Sequence, residues 1–337
     1  MVPGAPAVSV LIPARDAAEH VGGCLRSLAR QTETRWECVL VDDGSVDSTL
    51  AIARAHAERD PRLRVVPRPR RGLVAALSSG LEHCRAPWVA RMDADDWMHR
   101  DRLSSQLDHL ERHPDLDGVG CHVRLFPRSA LRDGHRRYEA WLNGLCDPDA
   151  VARDRFVECP LAHPTWMLRR DVLSRLGYRD RGWPEDYDLV LRLLGEGRRL
   201  GVVPRRLLGW RDHRARLSRT HPAYALARFT DCKAAHLAEG FLADSPEYIL
   251  WGYGDTGRAL RRALAERGRR PSHIVELHPG RLGQRIHGAP VVSPDAIPDL
   301  PPRPLVASVA GAEARGLIRA ALTRLGWREM SDFVCAA

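Results

Sequence analysis

The chain has 337 residues, 44% of them hydrophobic, which is enough apolar material for a core in each of two domains and excludes a disordered protein. Its formal net charge of +9 points to an anionic partner, whether nucleic acid, membrane surface or phosphorylated substrate, although the excess is almost all arginine (Lys233 is the one lysine) and reflects composition as much as need. Eight cysteines with no CxxC pair signal neither a zinc site nor a disulfide framework, and no stretch approaches the ~20 apolar residues of a membrane span. The expectation is a soluble cytoplasmic protein, resting at most peripherally on the inner face of a membrane.

The first hundred residues alternate strand and helix signals. AVSVLIP (7–13) reads as a strand stopped by Pro13, and residues 16–30 have helical spacing. WECVLVDDGS (36–45) is a second strand ending in acids and glycine, and STLAIARAHAER (48–59) a helix opened by a capping serine. LRVVP (63–67) follows as a strand, GLVAALSSGLEHC (72–84) as a helix and WVARMDADD (88–96) as a fourth strand. Such alternation predicts a mostly parallel sheet sandwiched by helices, with ligands at the carboxyl ends of the strands, where DDGS and DADD both fall.

Residues 101–225 are less regular. A second α/β pattern starts at Tyr248, with YILW, a helix after GYGDTG, HIVELHP, LVASVA (305–310), a helix over 312–325 and a last strand, DFVCA. The expected division is therefore a domain over 1–225, a helical linker over 226–245 and a small Rossmann-like α/β domain over 246–337.

Asp93, Asp95 and Asp96 crowd the end of the fourth strand, and three carboxylates in a cleft need a cation or donors to stay ionised. Mg2+ or Mn2+ suits oxygen ligands and leaves positions for phosphate oxygens. The plainer alternative is a solvated loop whose aspartates cap a helix starting near His99.

Read together, VSVLIPARDAAEHVGGCLRSLARQT, ECVLVDDGSVDST, WVARMDADDW, HPTWMLRRDVL and GWPEDYDLVLRLL resemble, in order and spacing, the family 2 inverting glycosyltransferases of GT-A fold, over roughly residues 7–220. The resemblance implies a nucleotide-sugar donor, a UDP-sugar first, held by Pro13, Ala14, Arg15, Asp42, Asp43 and Asp93, with Arg211 on the diphosphate. It implies a Mn2+ or Mg2+ ion on Asp93 and Asp95, completed by His213. Asp186, with Glu185 in reserve, would be the general base for inversion, and His163 and Trp166 would line a pocket for a glycan or lipid-linked acceptor. Simpler readings stand beside these: an Asx turn at Asp42–Asp43 before Gly44, acids favouring a helix N-terminus at PEDYDL, an exposed His213 and a core Trp166. Where the family usually has asparagine after the third strand, this chain has Ser78, which is not expected to touch the donor.

Gly252, Gly254 and Gly257 in GYGDTG, with Glu276 after the next strand, match a dinucleotide loop in spacing and context. NAD(P) is nonetheless a doubtful ligand there, because the segment is short and lacks a Tyr-x-x-x-Lys pair; a regulatory or homodimerising module is an equal expectation. The alternative to sugar transfer is a dinucleotide-binding oxidoreductase or sensor with a noncatalytic N-terminal domain. A nucleotidyltransferase is disfavoured by the lack of a glycine-rich loop in VLIPARDAAE, and a nucleic-acid partner by dispersed arginines without an aromatic platform.

Overall fold

The computed structural model describes residues 4–214 and 216–337. They form two compact units. The first holds residues up to 152, 160–181 and 196–216; the second holds 153–159, 182–195 and 217–337.

In the first unit the chain runs β1 (Val8–Ala14), α1 (Val21–Ala29), β2 (Trp36–Asp43), α2 (Thr49–Ala57), β3 (Leu63–Arg68), α3 (Leu73–His83), β4 (Trp88–Arg91), β5 (Trp97–Met98), α4 (Arg102–Arg112), β6 (Gly118–Phe126), α5 (Asp133–Leu142), α6 (Pro148–Arg153), β7 (Met167–Arg169) and α7 (Arg170–Leu176); β8 (Leu200–Arg211) returns later. The strands make one sheet in the order β3-β2-β1-β4-β7-β6-β8-β5. The β3-β2-β1-β4 half is parallel, and β7 turns the sheet antiparallel against both β4 and β6. Every residue of β2 and all of β1 but Pro13 are buried, as expected for parallel strands covered on both faces. Helix α3 lies close on this sheet because residue 80 is glycine: a Cβ there would sit 2.3 Å from Leu11 Cδ1 and 2.7 Å from Val41 Cγ2.

Three local expectations change. β1 continues through Pro13 to Ala14, pairing Pro13 with Val41. Leu11 faces β4, since its carbonyl accepts from Met92 N, so residue 13 faces the same way, beyond the last β4 pair at Leu11 and Arg91. The N–H that proline lacks is one that no neighbouring strand would have used. β4 ends at Arg91, which leaves Asp93–Asp96 in the turn that follows. Ser48 makes no side-chain cap at α2; Asp47 Oδ1 instead accepts from Thr49 N at 2.9 Å.

The second unit holds α8 (Glu185–Gly195), α9 (Leu217–Thr220), α10 (Leu226–Glu239), β9 (Glu247–Trp251), α11 (Asp255–Ala265), β10 (Arg270–Val275), β11 (Arg285–Ile286), β12 (Ala289–Val292), β13 (Leu305–Ala307), α12 (Ala312–Arg324) and β14 (Phe333–Cys335). Its sheet runs β11-β12-β10-β9-β13-β14, parallel except for β11. Sequence periodicity assigned 182–195 to the first domain and 226–245 to a linker. In the structure α8 packs within the second unit, its Tyr187 ring 5.8 Å from Phe229 of α10, and α10 buries Cys232, Ala234, Ala235, Leu237 and Ala238. No helix among the described residues is long and apolar enough to cross a membrane.

Candidate active site

The loops after β1 and β2 are tied to each other by four hydrogen bonds. Asp16 N donates to Ser45 Oγ (2.9 Å), Ala17 N to Thr49 Oγ1 (2.7 Å) and Ala18 N to Asp47 Oδ2 (3.0 Å), while Val46 N donates to Asp16 Oδ1 (2.9 Å). Asp16 takes a left-handed conformation, φ +48°, that permits the clasp. Beneath it Asp42 and Asp43 are buried, and neither is a simple outward-facing acid. Asp42 Oδ1 accepts from Ser45 Oγ at 2.5 Å. Asp43 accepts from the backbone N–H groups of Arg71 (3.0 Å) and Gly72 (2.8 Å), drawing the loop after β3 onto the same strand ends. Gly44, at φ +71°, is required there, since a Cβ would meet Arg70 N at 2.8 Å. Ala14 is buried, while the Arg15 side chain is 38% exposed and 3.4 Å from Asp16.

The neighbouring turn after β4 concentrates negative charge. Asp93, Asp95 and Asp96 each direct an oxygen into a space where these atoms lie within 4.8 Å of one another. Arg91 pairs with Asp93, His213 Nε2 lies 2.7 Å from Asp95 Oδ2, and Arg211 ties the turn down through N to Asp96 Oδ1 (2.7 Å) and Nε to the Asp95 carbonyl (2.8 Å). Asp96 is 2% exposed, and its Oδ2 has no hydrogen-bond partner among the described residues. Burial, reinforced by Asp93 and Asp95, pushes its carboxyl well above the usual range. Behind the turn, the buried Arg102 guanidinium donates to the carbonyl of Arg91 at 2.8 Å and to Gln106 Oε1 at 3.1 Å.

Glu185 and Asp186 open α8 in the second unit. Glu185 accepts from Tyr224 Oη at 2.5 Å, and Asp186 Oδ1 from Tyr187 N at 2.8 Å. Two residues on, Asp188 is fully buried and fully engaged. Arg192 Nε donates to its Oδ2 (2.8 Å) and Trp183 Nε1 to its Oδ1 (3.2 Å), with His236 Nε2 3.1 Å from Oδ1. Although burial opposes it, hydrogen bonds from His236 and Arg192 hold this carboxyl down at about 2.

The family model described as glycosyl transferase family 2 matches residues 9–177, half of the chain, and so spans both sets of strand-end acids in the first unit. The chain belongs to glycosyl transferase family 2. It is 33% identical over 192 residues to the amylovoran biosynthesis glycosyltransferase AmsE of Erwinia amylovora, a match covering 56% of this chain and 70% of that one. In fold it is similar to S. aureus TarS 1–349 in complex with UDP-GlcNAc, with a TM-score of 0.57, 17% identity and coverage of 77% of this chain and 72% of that one. It is also similar to the mannosyltransferase PcManGT of Pyrobaculum calidifontis in complex with GDP-Man and Mn2+, with a TM-score of 0.54, 20% identity and coverage of 78% and 73%. These likenesses give the fold as GT-A.

Within this family 2 glycosyltransferase the structure brings Asp93, Asp95, Arg211 and His213 together, with Arg211 bound to the acids' own turn. His163 and Trp166, expected in an acceptor pocket, are interior residues, 5% and 1% exposed. Their rings pack 4.5 Å apart, with His163 Nε2 3.0 Å from Tyr178 Oη and Trp166 Nε1 donating to the Leu161 carbonyl. Ser78 hydrogen-bonds back to Val74 O inside α3. Sequence reasoning passed over Arg91, Arg102, the clasp residues Asp16, Ser45 and Asp47, and His20, whose ring lies 5.9 Å from His213. The acid–arginine alternation RMDADD was the one available signal, for Arg91 alone.

In the second unit, the turn itself requires two of the three loop glycines. Gly252 has φ +97° and would place a Cβ 2.4 Å from Val309, and a Cβ on Gly257 would meet Gly252 O at 2.1 Å. Gly254 has open space around it, and Glu276 is held by Arg281 Nη1 at 2.9 Å.

Proposed function

We propose that this enzyme transfers a sugar, with inversion, from a nucleoside-diphosphate donor to a glycan or lipid-linked acceptor, assisted by Mn2+ or Mg2+. The observation that carries the reading is the Asp93–Asp95–Asp96 turn. An all-oxygen donor set with one buried, unpartnered carboxylate oxygen fits a hard divalent cation, and Asp93 and Asp95 would hold it with His213 alongside. Such an ion, when bound, supplies Lewis acidity for the departing diphosphate. The remaining parts are the chain's own. Arg91 and Arg211 keep the acids in place, and the clasped loops above β1 and β2, with Asp42 and Asp43 shaping their floor, form the rim assigned to the nucleoside.

UDP-GlcNAc in TarS and GDP-Man with Mn2+ in PcManGT support a sugar-nucleotide donor, with a UDP-sugar as the first choice. The role of AmsE in amylovoran biosynthesis supports a polysaccharide acceptor and polysaccharide biosynthesis as the setting. Asp186 is assigned as the base that takes the acceptor hydroxyl's proton, with Glu185, already engaged by Tyr224, in reserve.

The test is thermal stabilisation of the whole protein by UDP, GDP, their sugars and NADH, with and without Mn2+, for wild type and Asp95→Asn. A Mn2+-dependent shift with one nucleoside diphosphate, lost in the variant, is expected. A shift with NADH alone would overturn the reading and favour the loop at Gly252–Gly257.

A further inference from the structure

We infer that Asp188, Cys232 and His236 form a second metal site, of the nitrogen–sulfur–oxygen type that suits Zn2+, joining α8 to α10. Cys232 and His236 are four residues apart on α10 and so project from one face of it, the spacing by which a helix presents two ligands to one ion. Asp188 meets them from α8. One ligand atom from each lies within 4.8 Å of the others, and the Asp188 Oδ1 to His236 Nε2 separation is 3.1 Å. A tetrahedral zinc with bonds of ~2.0–2.3 Å separates its ligand atoms by roughly 3.3–3.7 Å, so rotation of the thiol about χ1 is the main adjustment required.

Three further features separate this cluster from an ordinary buried ion pair. Cys232 is fully buried at this point, and its thiol makes no hydrogen bond among the described residues. The carboxylate is already oriented by Arg192 on Oδ2 and by Trp183 on Oδ1, donors of the outer-shell kind typical of protein metal sites. The His236 side chain is 15% exposed, which leaves an outlet to solvent for a fourth ligand such as water. On binding, the thiol and any protonated imidazole release their protons to solvent. The carboxylate and thiolate then cancel the charge of the ion. Cysteine spacing along the chain could not reveal the site, because its ligands come from elements more than forty residues apart and include a single cysteine.

The experiment is titration of the whole protein with Co2+, followed by Zn2+. A cobalt–thiolate charge-transfer band at about one equivalent is expected, displaced by Zn2+, retained in Asp95→Asn and lost in Cys232→Ser. A parallel rise in Tm with Zn2+ is expected in wild type and absent in His236→Gln, which carries the test should the serine variant not fold. No thiolate band in the wild type, or a band that survives Cys232→Ser, would overturn the site.

Discussion

Two groups of aspartates in this protein meet burial in opposite ways. In the turn after β4, Asp96 is enclosed beside two more carboxylates and keeps one oxygen unpartnered, so its charge is disfavoured. In α8, Asp188 is at least as deeply buried, yet it takes donors from Arg192 and Trp183 and faces His236, so its charge is favoured. The lesson is that burial alone does not set the state of an acid; its donors and the sign of the neighbouring charges do. In the proposed function the first arrangement takes its counter-charge from a cation, whereas the second ties α8 to α10 through His236.

The comparison can be broken by exchanging each acid for its amide. Asp95→Asn should lower kcat/KM on the order of 10³-fold with little change in Tm, measured with the donor identified by the stabilisation panel. Unchanged turnover would remove the metal role from the turn. Asp188→Asn should destabilise the protein by about 3–5 kcal/mol in urea unfolding, because it breaks the charge-assisted contacts of a fully buried carboxylate with Arg192 and His236. Asp96→Asn should act with the opposite sign, raising stability by about 1 kcal/mol while lowering activity, since it relieves repulsion yet still accepts from Arg211 N. Equal destabilisation by Asp96→Asn and Asp188→Asn would show that the two groups are not different in kind. His213→Gln, which keeps a polar group near Asp95, should cost about 10–100-fold in apparent metal affinity, read from the Mn2+ dependence of the initial rate.

Much of the fold was legible because it is written locally. Apolar runs of four to eight residues, punctuated by glycine, proline and acids, gave the parallel half of the first sheet and the second α/β unit in order. The strand-end position of Asp42, Asp43, Asp93 and Asp95 followed from the same pattern. What could not be read was how these side chains are used. Asp43 is committed to the amides of Arg71 and Gly72, 28 and 29 positions away, and no periodicity encodes such a bond. The same holds for Arg102, a cation that hydrophobicity would place outside, and which instead ends on the carbonyl of Arg91 in the interior. His163 and Trp166, which the resemblance placed in an acceptor pocket with a core Trp166 as the alternative, are both buried, and the internal partners of His163 Nε2 and Trp166 Nε1 are not encoded in any local pattern. Helix α8 was assigned by sequence neighbourhood, but its apolar residues pack with α10, which lies later in the chain.

Pro13 carries a consequence for the loop that follows it. Past Leu11, β1 has no further β4 pair. An ordinary residue at this half-buried position would leave a donor without a strand partner, at a cost of up to about 3 kcal/mol. The imide ring removes that donor, so the strand runs on to Ala14 and delivers Asp16 and Ala18 to Ser45 and Asp47.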